Sequence, residues 1–302
     1  MEHDRNELEE TRRRFLRNGA VVGAGLAAAG LAACEPPVDD DDTTGEDCPD
    51  YPRAFPNQDT SEVRWGFLID LKACRGCHAC SVACKTESDV RLGVFRNSVA
   101  EGESGTYPDT KYLAIPWLCN HCEAPSCLDR CPTAPIKASL AMPSGAEVEY
   151  WARATYQRPD GLVLVDQDRC VGCGRCVEDC AYGARFLDWA KTAGGDPASV
   201  GLTIANPKPA DKCDLCVHRL QEGLVPACVN TCPAGARTVG NLNDPSSEIN
   251  ALIAAGGSDV SSLKENSGNE PRVFYIGLDE AIFDDAYDIR LDAGRQFETP
   301  GV

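Results

Sequence analysis

Sixteen of the eighteen cysteines fall into four runs, and no other feature restricts the fold as much. The first run holds Cys74, Cys77, Cys80 and Cys84, and the second Cys119, Cys122, Cys127 and Cys131. The third holds Cys170, Cys173, Cys176 and Cys180, and the fourth Cys213, Cys216, Cys228 and Cys232. Every run closes on a C-x3-C step, and two of them on Cys-Pro, at Cys131-Pro132 and Cys232-Pro233. Proline there fixes the turn after the last thiol and removes a backbone donor.

Three close thiolates with a fourth set apart suit a cube of iron and sulfide. The backbone wraps the first three around one cluster, and the fourth reaches a neighbouring cluster, as in two-cluster ferredoxins. Zinc knuckles use paired C-x2-C steps and have no use for a third thiol two residues on. A disulfide framework of thiols two residues apart would staple little of a chain of 302 residues. The spacing therefore predicts 4Fe-4S clusters, which take over part of the work of a core in a chain with only 7% aromatics.

The net charge is −18, so the chain lacks the electrostatic footprint for nucleic acid or anionic lipid. Its first 33 residues leave that value unchanged, because five arginines offset five acids there. This segment reads as an export signal: a charged head, an apolar run from Gly19 to Ala33, then Cys34. Arg12-Arg13 before Phe15-Leu16 resembles a twin-arginine signal, a route that carries folded proteins with their clusters in place. Leu31-Ala32-Ala33-Cys34 resembles a lipobox, which makes Cys34 a lipidation site, with an ordinary cleavage site as the plainer reading. Residues 34–62, with an acidic run from Asp39 to Asp42, read as a disordered tether, and Cys48 within it as an incidental thiol.

The globular part begins near Val63. Arg64 to Leu71, Leu162 to Asp166 and Arg272 to Ile276 read as strands. Ala181 to Ala190 reads as a short helix, and Glu248 to Ala255 as a helix stopped by Gly256-Gly257. Pro135 to Ala154 gives no clear element, and Gly194 to Pro209 reads as loop. No P-loop, dinucleotide fingerprint or histidine–carboxylate zinc motif is present, so no catalytic residue is assigned. His78, His121 and His218 fall in or beside complete cysteine runs and are expected as neighbours of the ligands or as surface groups. Arg185, Lys212 and Arg237 lie near ligands, where they either raise potentials by charge compensation or are plain surface charges. The four tryptophans are expected to serve packing.

The segments CRGCHACSVACKTE, CNHCEAPSCLDRCP, DQDRCVGCGRCVEDCAYGAR and KCDLCVHRLQEGLVPACVNTCPAGAR resemble the four signatures of one family. These are the four-cluster ferredoxin-type electron-transfer subunits of molybdopterin oxidoreductases, such as the dimethyl sulfoxide, polysulfide and tetrathionate enzymes. The resemblance spans residues 63–245, with a weaker echo at Pro271 to Leu278. It implies an α+β fold of two tandem bacterial-ferredoxin-like units, each carrying two 4Fe-4S clusters. One unit would be 63–112 with 201–245, the other the inserted 113–200, followed by a C-terminal helix, strand and acidic tail over 246–302.

The resemblance also implies how ligands are shared. Cys74, Cys77, Cys80 and Cys232 would hold the first cluster, and Cys84, Cys213, Cys216 and Cys228 the second. Cys119, Cys122, Cys127 and Cys180 would hold the third, and Cys131, Cys170, Cys173 and Cys176 the fourth. Some relatives replace the residue at the Cys173 position and carry a 3Fe-4S centre. The cysteine here implies four 4Fe-4S clusters. The family's partners are a molybdopterin catalytic subunit and a polytopic quinone-binding membrane subunit, with a cytochrome c as a further candidate. The run-one and run-four pair would face the catalytic side.

The implied role is a respiratory relay on the periplasmic side of a bacterial membrane, held there by the N-terminal lipid. A partner of a periplasmic hydrogenase or multihaem cytochrome is the alternative, and a protein whose clusters only hold the fold is a third reading. The chain departs from the family at Ala181, where proline is usual, and at Pro135 to Ala154. The latter reads as an insertion, either a partner contact or a tolerated loop.

Overall fold

The computed structural model describes residues 62–188 and 209–279. The export signal, the lipobox, most of the tether, His3, Cys34, Cys48, Trp189, the loop from Gly194 up to Pro209 and the acidic tail lie outside them.

The strand β1 (Trp65–Asp70) is the centre of a four-stranded mixed sheet. It pairs antiparallel with β10 (Arg237–Asn241) and parallel with β12 (Val273–Ile276), which pairs in turn with β11 (Val260–Ser262). Phe67, Leu68 and Ile69 are all buried, so β1 is covered on both faces and reads as a continuous apolar run. One face receives α6 (Glu248–Gly256), whose Ile249 is fully buried. Gly240 permits that contact, since a Cβ there would stand 2.7 Å from the Ile249 Cγ2. The helix stops at Gly257, whose φ of 51° lies in the region that favours glycine.

The rest of the fold is a set of two-stranded ladders joined by short helices. The helix α1 (Ala79–Ser88) follows Cys74 and Cys77 and carries Cys80 and Cys84, and β2 (Asn97–Ser104) and β3 (Lys111–Leu118) form a hairpin after it. Four short helices sit inside the other runs: α2 (Ser126–Asp129), α3 (Arg175–Glu178), α4 (Val217–Gln221) and α5 (Ala227–Asn230). The segment β6 (Thr155–Gln157) pairs with β7 (Val163–Val165) ahead of the third run.

Two expectations change. Ala181 to Asp188 is not helical: Gly183 takes a φ of 54° just after Cys180, which turns the chain. It then extends so that β8 (Phe186–Leu187) pairs with β9 (Ala210–Asp211). The unassigned stretch after the second run is a hairpin, β4 (Ile136–Ala141) with β5 (Glu147–Ala152). Its root is fixed by Arg153 donating to the Cys131 carbonyl at 2.7 Å and by Arg169 donating to the carbonyls of Ala152 and Ala134. Its tip reaches Glu62, which accepts two bonds from Ser144. Among the described residues no helix is long and apolar enough to cross a membrane.

Candidate metal centres

The first and third runs are launched by the same local device. Asp70, four residues before Cys74, accepts the amides of Lys72 at 2.9 Å and Ala73 at 3.2 Å. Asp166, four residues before Cys170, accepts those of Asp168 at 3.1 Å and Arg169 at 3.3 Å. Each side chain mimics a backbone turn and ends the preceding strand. Gly76 and Gly172 then sit between the first two thiols of their runs with φ of 63° and 66°, so the backbone curls around a common centre.

The thiols gather in four groups. A cavity of about 360 Å³ is lined by Cys74, Cys77, Cys80 and Cys232. A second, of about 290 Å³, is lined by Cys131, Cys170, Cys173 and Cys176. Of the other eight thiols of the runs, seven are buried and Cys180 is half-buried. Burial, then the neighbouring Cys228 and Cys216, push the Cys84 thiol up to about 12. Burial, then Cys84, Asp214, Cys228 and Cys119, hold the Cys213 thiol well above its ordinary value. Burial, then Cys119, Cys127 and Cys180, raise the Cys122 thiol in the remaining group. Sixteen cysteines of the described residues are free of disulfides, and of these Cys77 and Cys173 are the exposed ones.

Three observations test whether these groups fit iron–sulfur cubes. Among the described residues, no three His, Cys, Asp or Glu side chains converge on a point that one metal ion could fill. Sulfur is also supplied with donors: the amides of Ala236, Ala184, Leu215 and Ala210 point at Cys232, Cys180, Cys213 and Cys170 at 3.3–3.4 Å. Arg237 and Arg185 donate to the Cys80 and Cys127 sulfurs, both at 3.0 Å, and each keeps a buried N–H with no partner, Nη1 and Nε respectively. Such donors are what the sulfurs of a cluster accept, so the residues fit the group.

Cys131 differs from the others. Burial raises its pKa, but bonds from Thr133, Thr155 and Ala154 outweigh it and leave the thiol below its ordinary value. The histidines divide as neighbours and surface groups. His121 is buried, its Nδ1 accepts the Val163 amide at 3.1 Å, and burial, then Lys212, hold its pKa well below the usual imidazole range. His78 and His218 are exposed and face Glu101 at 3.3 Å and Glu87 at 2.7 Å. Trp117 is fully buried and donates to the Tyr182 carbonyl at 2.7 Å. Trp151 lies on the outer face of the β4–β5 hairpin with Lys137 over its ring.

Residues 110–242 match the model of the 4Fe-4S dicluster domain family. The chain is 35% identical to a subunit of the tetrathionate reductase of Salmonella typhimurium, over 91% of each protein. It is 35% identical to the arsenate respiratory reductase iron–sulfur subunit ArrB of a Shewanella species, over 71% of this chain and 96% of that one. It is 38% identical to the protein NrfC of Escherichia coli, over 71% of this chain and 81% of that one. The fold and its thiol groups thus define a ferredoxin-type protein that carries 4Fe-4S clusters. Within that class, the chain belongs to the family of iron–sulfur electron-transfer subunits of the molybdopterin oxidoreductases.

Proposed function

We propose that this chain relays electrons through four 4Fe-4S clusters between a quinone-linked membrane subunit and a molybdopterin catalytic subunit. The observation that carries the reading is the disposition of the thiol groups. The two groups that include an exposed cysteine, Cys77 and Cys173, are complete sets lining separate cavities, and two more buried groups complete the count. When bound, 4Fe-4S clusters supply centres that accept and release one electron at a time, with potentials set by charge and by hydrogen bonds to sulfur.

The four ligand sets are those the family resemblance implies. Cys74, Cys77, Cys80 and Cys232 hold the first, and Cys84, Cys213, Cys216 and Cys228 the second. Cys119, Cys122, Cys127 and Cys180 hold the third, and Cys131, Cys170, Cys173 and Cys176 the fourth. Exposure of Cys77 and Cys173 makes the first and fourth sets the points of contact with partners. The first set serves the catalytic subunit and the fourth the membrane subunit. Two of the relatives named above are subunits of reductases of tetrathionate and of arsenate, and the terminal acceptor here is a property of the catalytic subunit.

Arg12 and Arg13 direct export of the loaded protein, and Cys34 carries the lipid that keeps it on the membrane. The tether from 35 to 62 gives the globular part room to dock.

The test is anaerobic isolation of the native complex from membranes, with iron, sulfide and molybdenum or tungsten analysis. Four cubes per chain, a large molybdopterin chain and an integral membrane subunit are expected. A complex with a nickel–iron or multihaem partner and no molybdopterin chain overturns the assignment of partners. Cys176→Ser is expected to stop quinol-driven reduction of the other centres, and their undiminished reduction overturns the assignment of the fourth set to the membrane side.

A further inference from the structure

Arg237, Arg185 and Lys212 are buried, with relative exposures of 4%, 4% and 2%. Among the described residues none of them makes an ion pair with a carboxylate, whereas the buried Arg272 is matched by Glu123, and the half-buried Arg96 by Asp211 and Asp214. A buried cation without a counter-charge is strongly disfavoured, so each of the three needs negative charge of another kind close by.

Their positions show where that charge is. Arg237 lies five residues after Cys232 and donates to Cys80 of the first thiol group, at 3.0 Å, while its charge also acts on Cys228 of the second. Arg185 lies five residues after Cys180 and donates to Cys127 of the third group, at 3.0 Å, while its charge also acts on Cys176 of the fourth. Each guanidinium therefore spans the gap between two groups. Lys212 fills the gap that is left. Its Nζ donates to the carbonyl of Cys213, of the second group, at 2.8 Å, and to that of Val163. The Val163 amide in turn bonds the ring of His121, which sits between Cys119 and Cys122 of the third group.

We infer that Arg237, Lys212 and Arg185 place one fixed positive charge at each of the three junctions of the relay, so that neighbouring centres share a cation and their potentials are held together. A cube with four thiolates is an anion and gains a further negative charge on reduction. A cation between two such centres stabilises the added electron on either one. In a low-dielectric interior its influence on these two exceeds that on more distant centres. An electron crossing a junction keeps the same cation beside it throughout, which disfavours a trap on one side. The inference rests on the four ligand sets proposed above.

The test uses the complete, anaerobically purified protein and redox titration followed by electron paramagnetic resonance. Cys77→Ser, Cys216→Ser, Cys122→Ser and Cys173→Ser first assign each signal to one set. If a single variant removes or alters more than one centre at random, the ligand assignment fails, and this is read before any cation is touched.

Arg237→Gln is then expected to lower the first and second midpoint potentials, Lys212→Gln the second and third, and Arg185→Gln the third and fourth. Arg237→Lys and Arg185→Lys, which keep the charge, are expected to lie closer to the parent than the glutamine variants. Potentials that stay in place, or that all four move together, overturn the inference. Lys212 touches only backbone carbonyls, so Lys212→Gln cuts no bond to sulfur. It decides the matter if an arginine variant fails to hold iron.

Discussion

Asp70 and Asp166 make the same pair of bonds at the same distance from a cysteine run, each ending a strand four residues before the first thiol. The two runs are thus started by equivalent side chains in unrelated parts of the sequence. Alanine at either position leaves two amides to water and frees the loop that carries three thiols. Each variant is expected to lose about 1–2 kcal/mol, read as a lowered denaturant midpoint under anaerobic conditions. Asparagine keeps the accepting oxygen and is expected to retain most of the stability.

Gly240 and Ile249 test the packing of α6 on the sheet. A methyl group at 240 would stand 2.7 Å from the Ile249 Cγ2, in a place with no exposure at the isoleucine. Gly240→Ala is expected to cost about 1–3 kcal/mol by overpacking. The cost is expected to shrink when Ile249 is already alanine, a coupling that a double-mutant cycle measures.

The Trp117 indole ties β3 to the turn after the third run through the Tyr182 carbonyl. Trp117→Phe removes the donor and leaves that buried carbonyl without it. The expected loss is about 1–3 kcal/mol, seen in thermal or denaturant unfolding. Iron content per chain is expected to stay near the parent value, since Trp117 belongs to none of the four proposed ligand sets.

Removal of the metal makes stability depend on pH in a definite direction. Burial, with neighbouring groups, pushes the thiols of Cys84, Cys127 and Cys216 up to about 12 in the metal-free fold. An unfolded thiol titrates near 8.5, so the unfolded chain loses its protons first. A raised folded value gives stability that is present below the unfolded pKa and is lost as pH rises towards the folded one. The chelated, reduced protein is therefore expected to weaken steadily between about pH 8.5 and pH 12. The loaded protein, whose thiolates are bound to iron, is expected to weaken less over that interval. Urea titrations of both forms at several pH values check this.

Much of the fold was legible because its signals were local. The apolar run before Cys74 became β1, the echo before Cys170 became β7, and the glycines at 256 and 257 ended α6 near the expected place. The β4–β5 hairpin was not legible. Its alternation is broken by alanines and serine, and its tip is Pro143-Ser144-Gly145 with no strong pairing signal. The segment after Cys180 misled because Phe186, Leu187 and Trp189 suggest a helical spacing, whereas pairing with Ala210–Asp211 decides the outcome from a distance in sequence.

The thiol spacing announced the chemistry of the site. What it did not decide was whether Arg185 and Arg237 compensate charge or are plain surface charges, because their contacts with Cys127 and Cys80 cross 58 and 157 residues. A weak signal existed in the matching C-x4-R steps, Cys180 to Arg185 and Cys232 to Arg237. The Asp-x3-Cys steps that open the first and third runs were a second one.

Cys77 and Cys173 are exposed, while the other fourteen thiols of the runs are buried or half-buried. Whatever diffuses in from solvent therefore meets the same two sulfurs that are proposed to face a docking partner. Oxygen, peroxide and mercurial reagents would begin at these contacts, and a complex that covers both would be armoured as well as connected. Corrosion of the isolated chain should thus proceed from its terminals inward.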